Sequence, residues 1–253
     1  MSLDVREVAE ALLSGEEREP LTDAWPDLDV DTAYEIQDEA LRLRQARGET
    51  VIGVKLGLTS QAMRQSMGVD SPLLAWLTDA MVLPAGVPVP SLIHPRAEPE
   101  LAFVLGKRLS GPGVTAATAM AAVDRVHGGI EIIDSRYRDY RFALPDAVAD
   151  NGFSAYFTLG PVGAVPSELD LSLEAALVEV DGAIVDTATG AAVLGHPAEA
   201  LALAANALGA RGLALEPGWI VLTGGMTDAV ELRPGSRVAA HFSHLGSITL
   251  AGS

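Results

Sequence analysis

The sequence has 253 residues, with 34 acidic against 17 basic side chains, a formal charge of −17 and no cysteine. A chain of this length can bury a full-sized core, as one domain or as a small module beside a larger one. The negative charge argues against nucleic acid or an anionic membrane surface as a partner. The lack of cysteine excludes disulfides, thiol chemistry and cysteine-ligated metal sites.

The N-terminal residues 1–7 do not have the charged and then apolar pattern of a signal peptide. No apolar stretch is expected to approach the 18 residues of a membrane span. We therefore expect a cytoplasmic protein with no membrane partner. Any anionic substrate must be attracted locally, by a metal ion or a well-placed lysine, against the unfavourable overall charge.

Two helices are predicted in the first 48 residues. Apolar side chains between Val5 and Leu12 recur at helical spacing, and Asp4 stands where an N-cap is expected. A second helix is expected from about Asp31 to Gly48, where glycine is a typical stop. The polar, proline-containing residues between them predict a link.

A buried strand is predicted over Val51–Ser60, and it contains a single charge, Lys55. Burying an ammonium group without a partner is costly, so this lysine suggests a site. The alternative is that its stem reaches out to the surface. A short helix over Gln61–Met67 and an apolar piece over Leu77–Leu83 follow.

Prolines at positions 84, 88, 90 and 95 indicate an irregular connector. We expect it to separate a helical N-terminal part, residues 1–83, which contributes Lys55, from a β-rich, metal-binding catalytic domain, residues 84–253. The first strand of that domain runs from Ala97 to Leu105 and carries Glu98 and Glu100 two residues apart. Residues two apart on a strand project to the same face.

Two carboxylates in one small volume repel each other, and a hard divalent cation such as Mg²⁺ or Mn²⁺ would neutralise them. The alternative is the solvated face of an antiparallel sheet. A further acid, Glu131, lies among isoleucines in a strand over Ile130–Tyr137 and does not fit a solvated surface. An alanine-rich helix is predicted from Thr115 to Gly128, and a polar loop over 138–152.

The remaining chain predicts strands and one helix. An Asp-Gly pair within Val178–Val185 predicts a β-hairpin. His196-Pro197 opens a helix, because proline is favoured in a first turn. Further strands are expected over 153–159, 219–222, 238–242 and 245–250. The fold class is thus predicted as α+β, a β-rich mixed roll with a helical N-terminal part.

Five blocks of sequence in this order resemble one known family. They are residues 53–60 (GVKLGLTS), 94–100 (HPRAEPE), 131–136 (EIIDSR), 150–151 (DN) and 222–225 (LTGG) with 245–247 (LGS). The chain resembles the 4-oxalocrotonate decarboxylase and 2-hydroxypentadienoate hydratase family of the fumarylacetoacetate hydrolase superfamily. The resemblance covers most of the chain and implies the superfamily's β-rich roll.

The resemblance also implies the site. Glu98, Glu100 and Glu131 would hold the divalent cation, and Lys55 would be catalytic. Substrate would contact Leu58 and Ser154, although Phe153 stands where the family has a small residue. Asp134, Arg136 and Asp139 are interpreted as a structural charge network, and His94 as positional.

The branch depends on residues 71–75 and 133–137. At residues 71–75 the resemblance implies the pattern Glu-Pro-Asp-Tyr/Phe-Gly for hydratases. This chain has Leu73 in place of the aspartate. The stretches Leu77–Asp79 and Ile133–Tyr137 resemble decarboxylases, while Ala75 and Trp76 fit neither pattern. The expected reaction is metal-dependent decarboxylation of 2-oxohex-3-enedioate (4-oxalocrotonate) to 2-oxopent-4-enoate.

Two alternatives stay open, a hydratase acting on 2-hydroxypenta-2,4-dienoate and a non-catalytic subunit that keeps the site's shape. In the expected reaction Lys55 would donate to the developing enolate or bind the departing carboxylate. The resemblance further implies a small 2-oxo dicarboxylic acid as substrate, a homo-oligomer, and association with a partner hydratase.

Overall fold

The chain begins, as predicted, with amphipathic helices that pack on each other. A computed structural model describes residues 3–60, 65 and 72–253. The helices of the N-terminal part are α1 (Val5–Leu13), α2 (Leu21–Ala24) and α3 (Val30–Ala46). The Asp4 side chain accepts hydrogen bonds from the first backbone N–H groups of α1, which confirms the predicted cap. The helix predicted over 61–67 lies outside the described residues except for residue 65.

Seven strands form the larger sheet within the described part of the chain: β1 (Val51–Gly57), β2 (Leu73–Thr78), β3 (Arg96–Leu105), β4 (Val123–Ile133), β5 (Ser154–Ala164), β8 (Ile220–Leu222) and β9 (Val230–Glu231). Their order is β2-β1-β8-β3-β4-β5, and β9 also pairs with β3. The β1–β8 pair is parallel and the other pairs are antiparallel. The boundary expected at residues 83 and 84 therefore separates segments that share one sheet.

The short strand β8 lies between β1 and β3 and joins the two halves of this sheet. Gly53 of β1 faces Ile220 at close range, and a Cβ added to Gly53 would lie 1.9 Å from the Ile220 carbonyl oxygen. Any larger residue at position 53 would push the two strands apart. Glycine here thus permits the pairing that brings β1 to β3.

The second sheet has four strands in the order β11-β10-β6-β7. They are β6 (Ala175–Val180), β7 (Ala183–Thr189), β10 (Arg237–Phe242) and β11 (Gly246–Ala251). The turn between β6 and β7 has positive φ at both Asp181 (50°) and Gly182 (86°), as a type I′ hairpin turn requires. The predicted hairpin is therefore confirmed.

The two sheets share one apolar core. Phe103 and Val126 of the larger sheet and Phe242 and Ile248 of the smaller one belong to the same buried cluster. A Cβ at Gly128 would lie 2.4 Å from the Phe242 ring, so this glycine lets β10 approach β4. With the helices described above, this arrangement confirms the predicted α+β class.

The helix predicted from Thr115 to Gly128 is wrong over most of its length. The helix α4 spans only Ala116–Met120, and β4 then begins at Val123. Every described residue of β3 finds a partner in β4, from Arg96 opposite Ile133 to Leu105 opposite Val123. The sheet hydrogen bonds of this long ladder outweigh the helical preference of the alanines.

The polar loop predicted over 138–152 contains helical structure. It consists of 3-10 turns at Arg138–Tyr140 and Asn151–Phe153 with the helix α5 (Leu144–Ala149) between them. The buried Asp146 carboxylate accepts a 2.8 Å hydrogen bond from the Ala143 N–H at the start of α5. This helix was not predicted because its capping residue, Asp146, lies within the first helical turn and not before it. Its apolar stretch is also short.

The helix predicted to begin at Pro197 is confirmed as α6 (Pro197–Ala210). The segment Gly190–Ala210 is long and apolar enough to cross a membrane by length and composition alone. This corrects the expectation that no stretch approaches 18 residues. Leu201, Ala205 and Leu208 of α6 are buried in the main core, so packing against the sheets accounts for the apolar composition.

Candidate metal centre and active site

Three glutamates converge where β3 pairs with β4. Glu98 lies directly opposite Glu131 in the register, and Glu100 lies two residues further along β3 on the same face. One carboxylate oxygen from each of the three lies within 4.8 Å of the others. Glu100 and Glu131 are 0% exposed, so a solvated sheet face is excluded for this pair.

Burial makes these carboxylates hard to ionise together. Burial raises the pKa of Glu98 to about 7, opposed by the Lys55 ammonium and assisted by the charge of Glu131. Burial also raises the pKa of Glu100 well above its ordinary value, and the neighbouring carboxylates add to the shift. Such a cluster needs protons or a cation to offset its negative charge.

Lys55 supplies one positive charge to the cluster. Its Nζ donates a 3.1 Å hydrogen bond to Glu131 Oε2, and the residue is only 3% exposed. The alternative in which the lysine reaches the surface is therefore wrong. Burial lowers the pKa of Lys55, but the three carboxylates outweigh burial and the net pKa is raised, so the side chain stays an ammonium.

Two further groups orient the carboxylates. The Ser154 hydroxyl donates a 2.6 Å hydrogen bond to Glu131 Oε1, and the Gly224 N–H donates a 2.7 Å bond to Glu100 Oε2. Glu100 Oε1, although buried, has no hydrogen-bond partner among the described residues. An unpartnered buried oxygen beside two more carboxylates fits an oxygen-ligated divalent cation.

A cavity of about 650 Å³ opens beside the glutamates. Lys55 and Glu98 line its polar side, and its other side is largely apolar: Leu58, Leu73, Ile133, Phe142, Ala147 and Phe153. This size and lining suit a small organic ligand with few polar groups. Leu58 lines this cavity, and its contact with substrate stays a prediction.

Ser154 lies elsewhere than its predicted role suggests. Its observed contact is with Glu131, and it is not part of the cavity wall. Its contact with substrate stays a prediction. Asn151, close to it in sequence, hydrogen-bonds both backbone groups of Trp76 and so ties β2 to the segment that precedes β5.

Three residues of the cavity wall hold unusual backbone conformations. Leu58, Tyr140 and Phe153 have positive φ values of 60°, 53° and 64°. Each such non-glycine residue costs on the order of 1–3 kcal/mol, which surrounding structure must offset. Backbone strain of this kind concentrates at functional sites. Phe153 is also the residue that stands where the family is expected to have a small side chain.

The charge network predicted for Asp134, Arg136 and Asp139 is present only in part, because Arg136 pairs with Asp150 and Asp139 has no hydrogen bond or ion pair with the described residues. Arg136 forms an ion pair with Asp150 and donates to its backbone carbonyl. The Asp134 carboxylate accepts hydrogen bonds from the backbone N–H groups of Ile93 and His94. Burial raises the pKa of Asp150 to about 6, against the effect of Arg136. These contacts brace the segments behind the cavity.

Sequence reasoning missed Arg96, Tyr140 and Phe142, which all line the cavity. The signal for Arg96 was present, since it stands two residues before Glu98 and so shares its strand face. Tyr140 and Phe142 fell within the predicted loop. Asp186 of β7 also lines the cavity, so the smaller sheet contributes to its wall.

Comparisons with known proteins agree with this arrangement. The family model for the fumarylacetoacetate (FAA) hydrolase C-terminal region matches residues 51–250. A 4-oxalocrotonate decarboxylase of Pseudomonas sp. (strain CF600) is 40% identical over 231 residues, which are 90% of this chain and 88% of that protein. A 2-hydroxyhexa-2,4-dienoate hydratase of Comamonas testosteroni is 40% identical over 245 residues, 95% and 93% of the two chains.

A solved structure matches the whole fold. It is the 4-oxalocrotonate decarboxylase from Pseudomonas putida G7, complexed with magnesium and adipate, with a TM-score of 0.96 and 35% identity. The match covers 100% of this chain and 99% of that one. The chain therefore belongs to the fumarylacetoacetate hydrolase family, within the group of 4-oxalocrotonate decarboxylases and 2-hydroxypentadienoate hydratases.

Proposed function

We propose that this protein is a magnesium-dependent lyase that decarboxylates 2-oxohex-3-enedioate to 2-oxopent-4-enoate. The observation that carries the choice of decarboxylation is the position of Leu73. This leucine faces Gly57 across the β1–β2 pair and lines the cavity. A Cβ added to Gly152 would lie 2.8 Å from both Leu73 Cδ1 and Lys55 Cε, so the leucine and the catalytic lysine border the same spot.

A leucine at this spot can neither donate nor accept a proton. Hydration of a dienol needs a group that activates water. The sequence resemblance implies that the hydratases of the family carry an aspartate at this position. The apolar side of the cavity, with Leu58 and Phe153, also disfavours a water molecule there. Decarboxylation needs no added water, so the cavity suits it better.

The proposal assigns the cation to Glu98, Glu100 and Glu131, whose buried oxygens and shared charge fit Mg²⁺ or Mn²⁺. When bound, the cation would act as a Lewis acid on the 2-oxo group. Ser154 and the Gly224 N–H would hold two of the carboxylates in place through the bonds described above. Loss of such orienting contacts typically weakens metal binding by about 10- to 100-fold.

Lys55 is proposed as the catalytic residue. In the reaction the C5–C6 bond breaks and C6 leaves as CO2, while the electron pair moves through the 3,4-double bond to the 2-oxo oxygen. The Lys55 ammonium, which is buried beside Glu131, would donate a hydrogen bond toward that oxygen as its negative charge develops. A proton then adds at C3 and gives 2-oxopent-4-enoate.

A second candidate is hydration of 2-hydroxypenta-2,4-dienoate. Asp186 favours it, because this half-buried carboxylate lines the same cavity and could activate water. Several relatives of similar identity are named as hydratases. The two candidates share the cation site and Lys55, and they differ in which group near the substrate can move a proton to or from water.

A paired assay separates the candidates. CO2 release from 2-oxohex-3-enedioate and water addition to 2-hydroxypenta-2,4-dienoate are measured with Mg²⁺, and each is repeated after EDTA treatment. Magnesium-dependent CO2 release without hydration supports the proposal. Hydration without CO2 release would transfer the protein to the hydratase branch, and no turnover of either would leave its substrate unknown.

The proposal also includes a cytoplasmic homo-oligomer that associates with a partner hydratase. Light scattering of the purified protein tests the first part. Co-purification with a hydratase from the same cells tests the second. A monomer that elutes alone would contradict both.

A further inference from the structure

Arg96 is the first residue of β3 and projects into the cavity from the same strand face as Glu98 and Glu100. Its guanidinium carbon lies 4.1 Å from the centroid of the Tyr140 ring. Stacking on an aromatic face fixes the plane of a guanidinium and leaves its N–H edge free to bind. Among the described residues, its guanidinium makes no hydrogen bond or ion pair.

A cavity-facing arginine without an ion pair is notable in this chain, which has twice as many acidic as basic side chains. Ten of the thirteen other described arginines pair with carboxylates, among them Arg136, Arg138, Arg141, Arg211 and Arg233. Arg96 lines a cavity whose wall also carries Glu98, Asp186 and Asp228. Those acids would repel a dianionic ligand unless a cation opposed them.

The spacing along β3 is of the same order as the length of a six-carbon diacid. Arg96 and Glu98 are two residues apart, so their Cα atoms are separated by roughly 6.6 Å at about 3.3 Å per residue. The C2 and C6 atoms of an extended 2-oxohexanedioate are about 5 Å apart, given carbon–carbon bonds of about 1.5 Å. With the 2-oxo end at the glutamates, the far carboxylate comes within reach of the guanidinium.

We propose that Arg96 is a specificity-determining residue that binds the far carboxylate of the substrate and so selects 2-oxo diacids over 2-oxo monoacids. This inference rests on the proposed function only in placing the 2-oxo end at the glutamates. The planar guanidinium offers two parallel donors that match a carboxylate. Arg96 thereby leaves Lys55 to the developing enolate.

The inference has a kinetic consequence. Arg96 stabilises the far carboxylate before C6 leaves as CO2, and it neither gains nor loses a proton in the step. Its contacts are therefore stronger with the substrate than with the transition state, where that charge is being lost. Replacing Arg96 should raise KM and leave kcat equal or higher.

The test compares two unreactive ligands of equal length, 2-oxohexanedioate and 2-oxohexanoate, by calorimetry in the presence of Mg²⁺. Since a hydrogen bond to a charged group contributes about 1.5–3 kcal/mol, the wild type should prefer the diacid by about 10- to 100-fold. Arg96→Gln should remove this preference and leave the monoacid affinity unchanged. The exposed Arg108→Gln serves as the control and should keep the preference.

Equal losses for both ligands in Arg96→Gln would overturn the inference, as would an unchanged preference for the diacid. Arg96→Lys keeps the charge without the paired donors and should retain part of the preference. Circular dichroism and Mg²⁺ binding establish that each variant is folded. Binding is measured without turnover, so this test of Arg96 can be interpreted even if the protein shows no decarboxylase activity.

Discussion

The ammonium of Lys55 lies 3.1 Å from Glu131 Oε2, and both side chains are almost completely buried. The two residues are separated by 76 positions in the sequence. A buried pair of this kind costs stability when only one partner is removed, because the other charge stays without compensation. Here the lysine also offsets the repulsion among three carboxylates.

Replacing Lys55 with methionine should affect turnover and stability together. We expect kcat to fall by about 100-fold or more, since a donor to the developing oxyanion is lost. In magnesium-free buffer the free energy of unfolding should fall by about 3 kcal/mol. Steady-state kinetics and denaturant unfolding measure both, with the exposed Lys107→Met as control. Unchanged turnover in Lys55→Met would remove the lysine from the mechanism.

Glu100→Gln should separate metal binding from stability. The glutamine imitates the protonated carboxyl group that burial favours, so stability without magnesium should be unchanged or higher. Mg²⁺ affinity should fall by more than about 100-fold, since losing even an outer-sphere partner costs about 10- to 100-fold. Calorimetry and thermal unfolding test this beside the exposed Glu168→Gln. A variant that binds Mg²⁺ normally would contradict the assignment.

Magnesium affinity should depend on pH near neutrality. In magnesium-free buffer the pKa of Glu98 is raised to about 7, so below this value a proton competes with the cation. The affinity should fall by up to about tenfold per pH unit as the pH is lowered below 7. Titrations between pH 5.5 and 8.5 measure this. A flat profile would show that Glu98 is ionised throughout.

The same raised pKa sets the direction of a stability change. The folded pKa lies above the ordinary value of 4.5, so between these two values the folded protein binds more protons than the unfolded chain. Stability without magnesium should therefore decrease as pH rises from about 4.5 to about 7. Saturating Mg²⁺ should reverse the decrease at the upper end. Denaturant unfolding across this range gives the sign.

Leu73→Asp should shift the balance between the two candidate reactions. The aspartate would place a proton-transfer group beside Lys55, at the position where the sequence resemblance implies an aspartate in hydratases. We expect water addition to 2-hydroxypenta-2,4-dienoate to rise by at least about tenfold, within the range of general acid–base catalysis. Leu73→Asn, of similar size but without the carboxylate, should show no gain. Equal effects in both variants would show that the polarity of position 73 is not the discriminator.

The glutamates could be predicted because local rules govern them. Strand alternation places Glu98 and Glu100 on one face whatever the rest of the chain does, and isoleucines around Glu131 mark that acid as buried. The hairpin at Asp181 and the N-terminal helices follow from equally local turn and capping signals.

The elements that were predicted wrongly depend on contacts between segments that are distant in the sequence. The length of β4 depends on a partner strand, so alanines before Val123 suggested a helix that the ladder with β3 replaces. Arg96 and Tyr140 meet only because a 3-10 turn with positive φ carries the tyrosine over the start of β3. No single segment contains the information for that contact.

The insertion of β8 between β1 and β3 has a consequence for biosynthesis. Lys55 of β1 pairs with Leu222 of β8, and Leu222 in turn pairs with Ala102 of β3. A growing chain that has emerged only as far as β5 can pair β3 with β4 and so bring the three glutamates together, but it lacks the strand that joins β1 to β3. We therefore expect Lys55 to reach Glu131 only after residue 222 has left the ribosome.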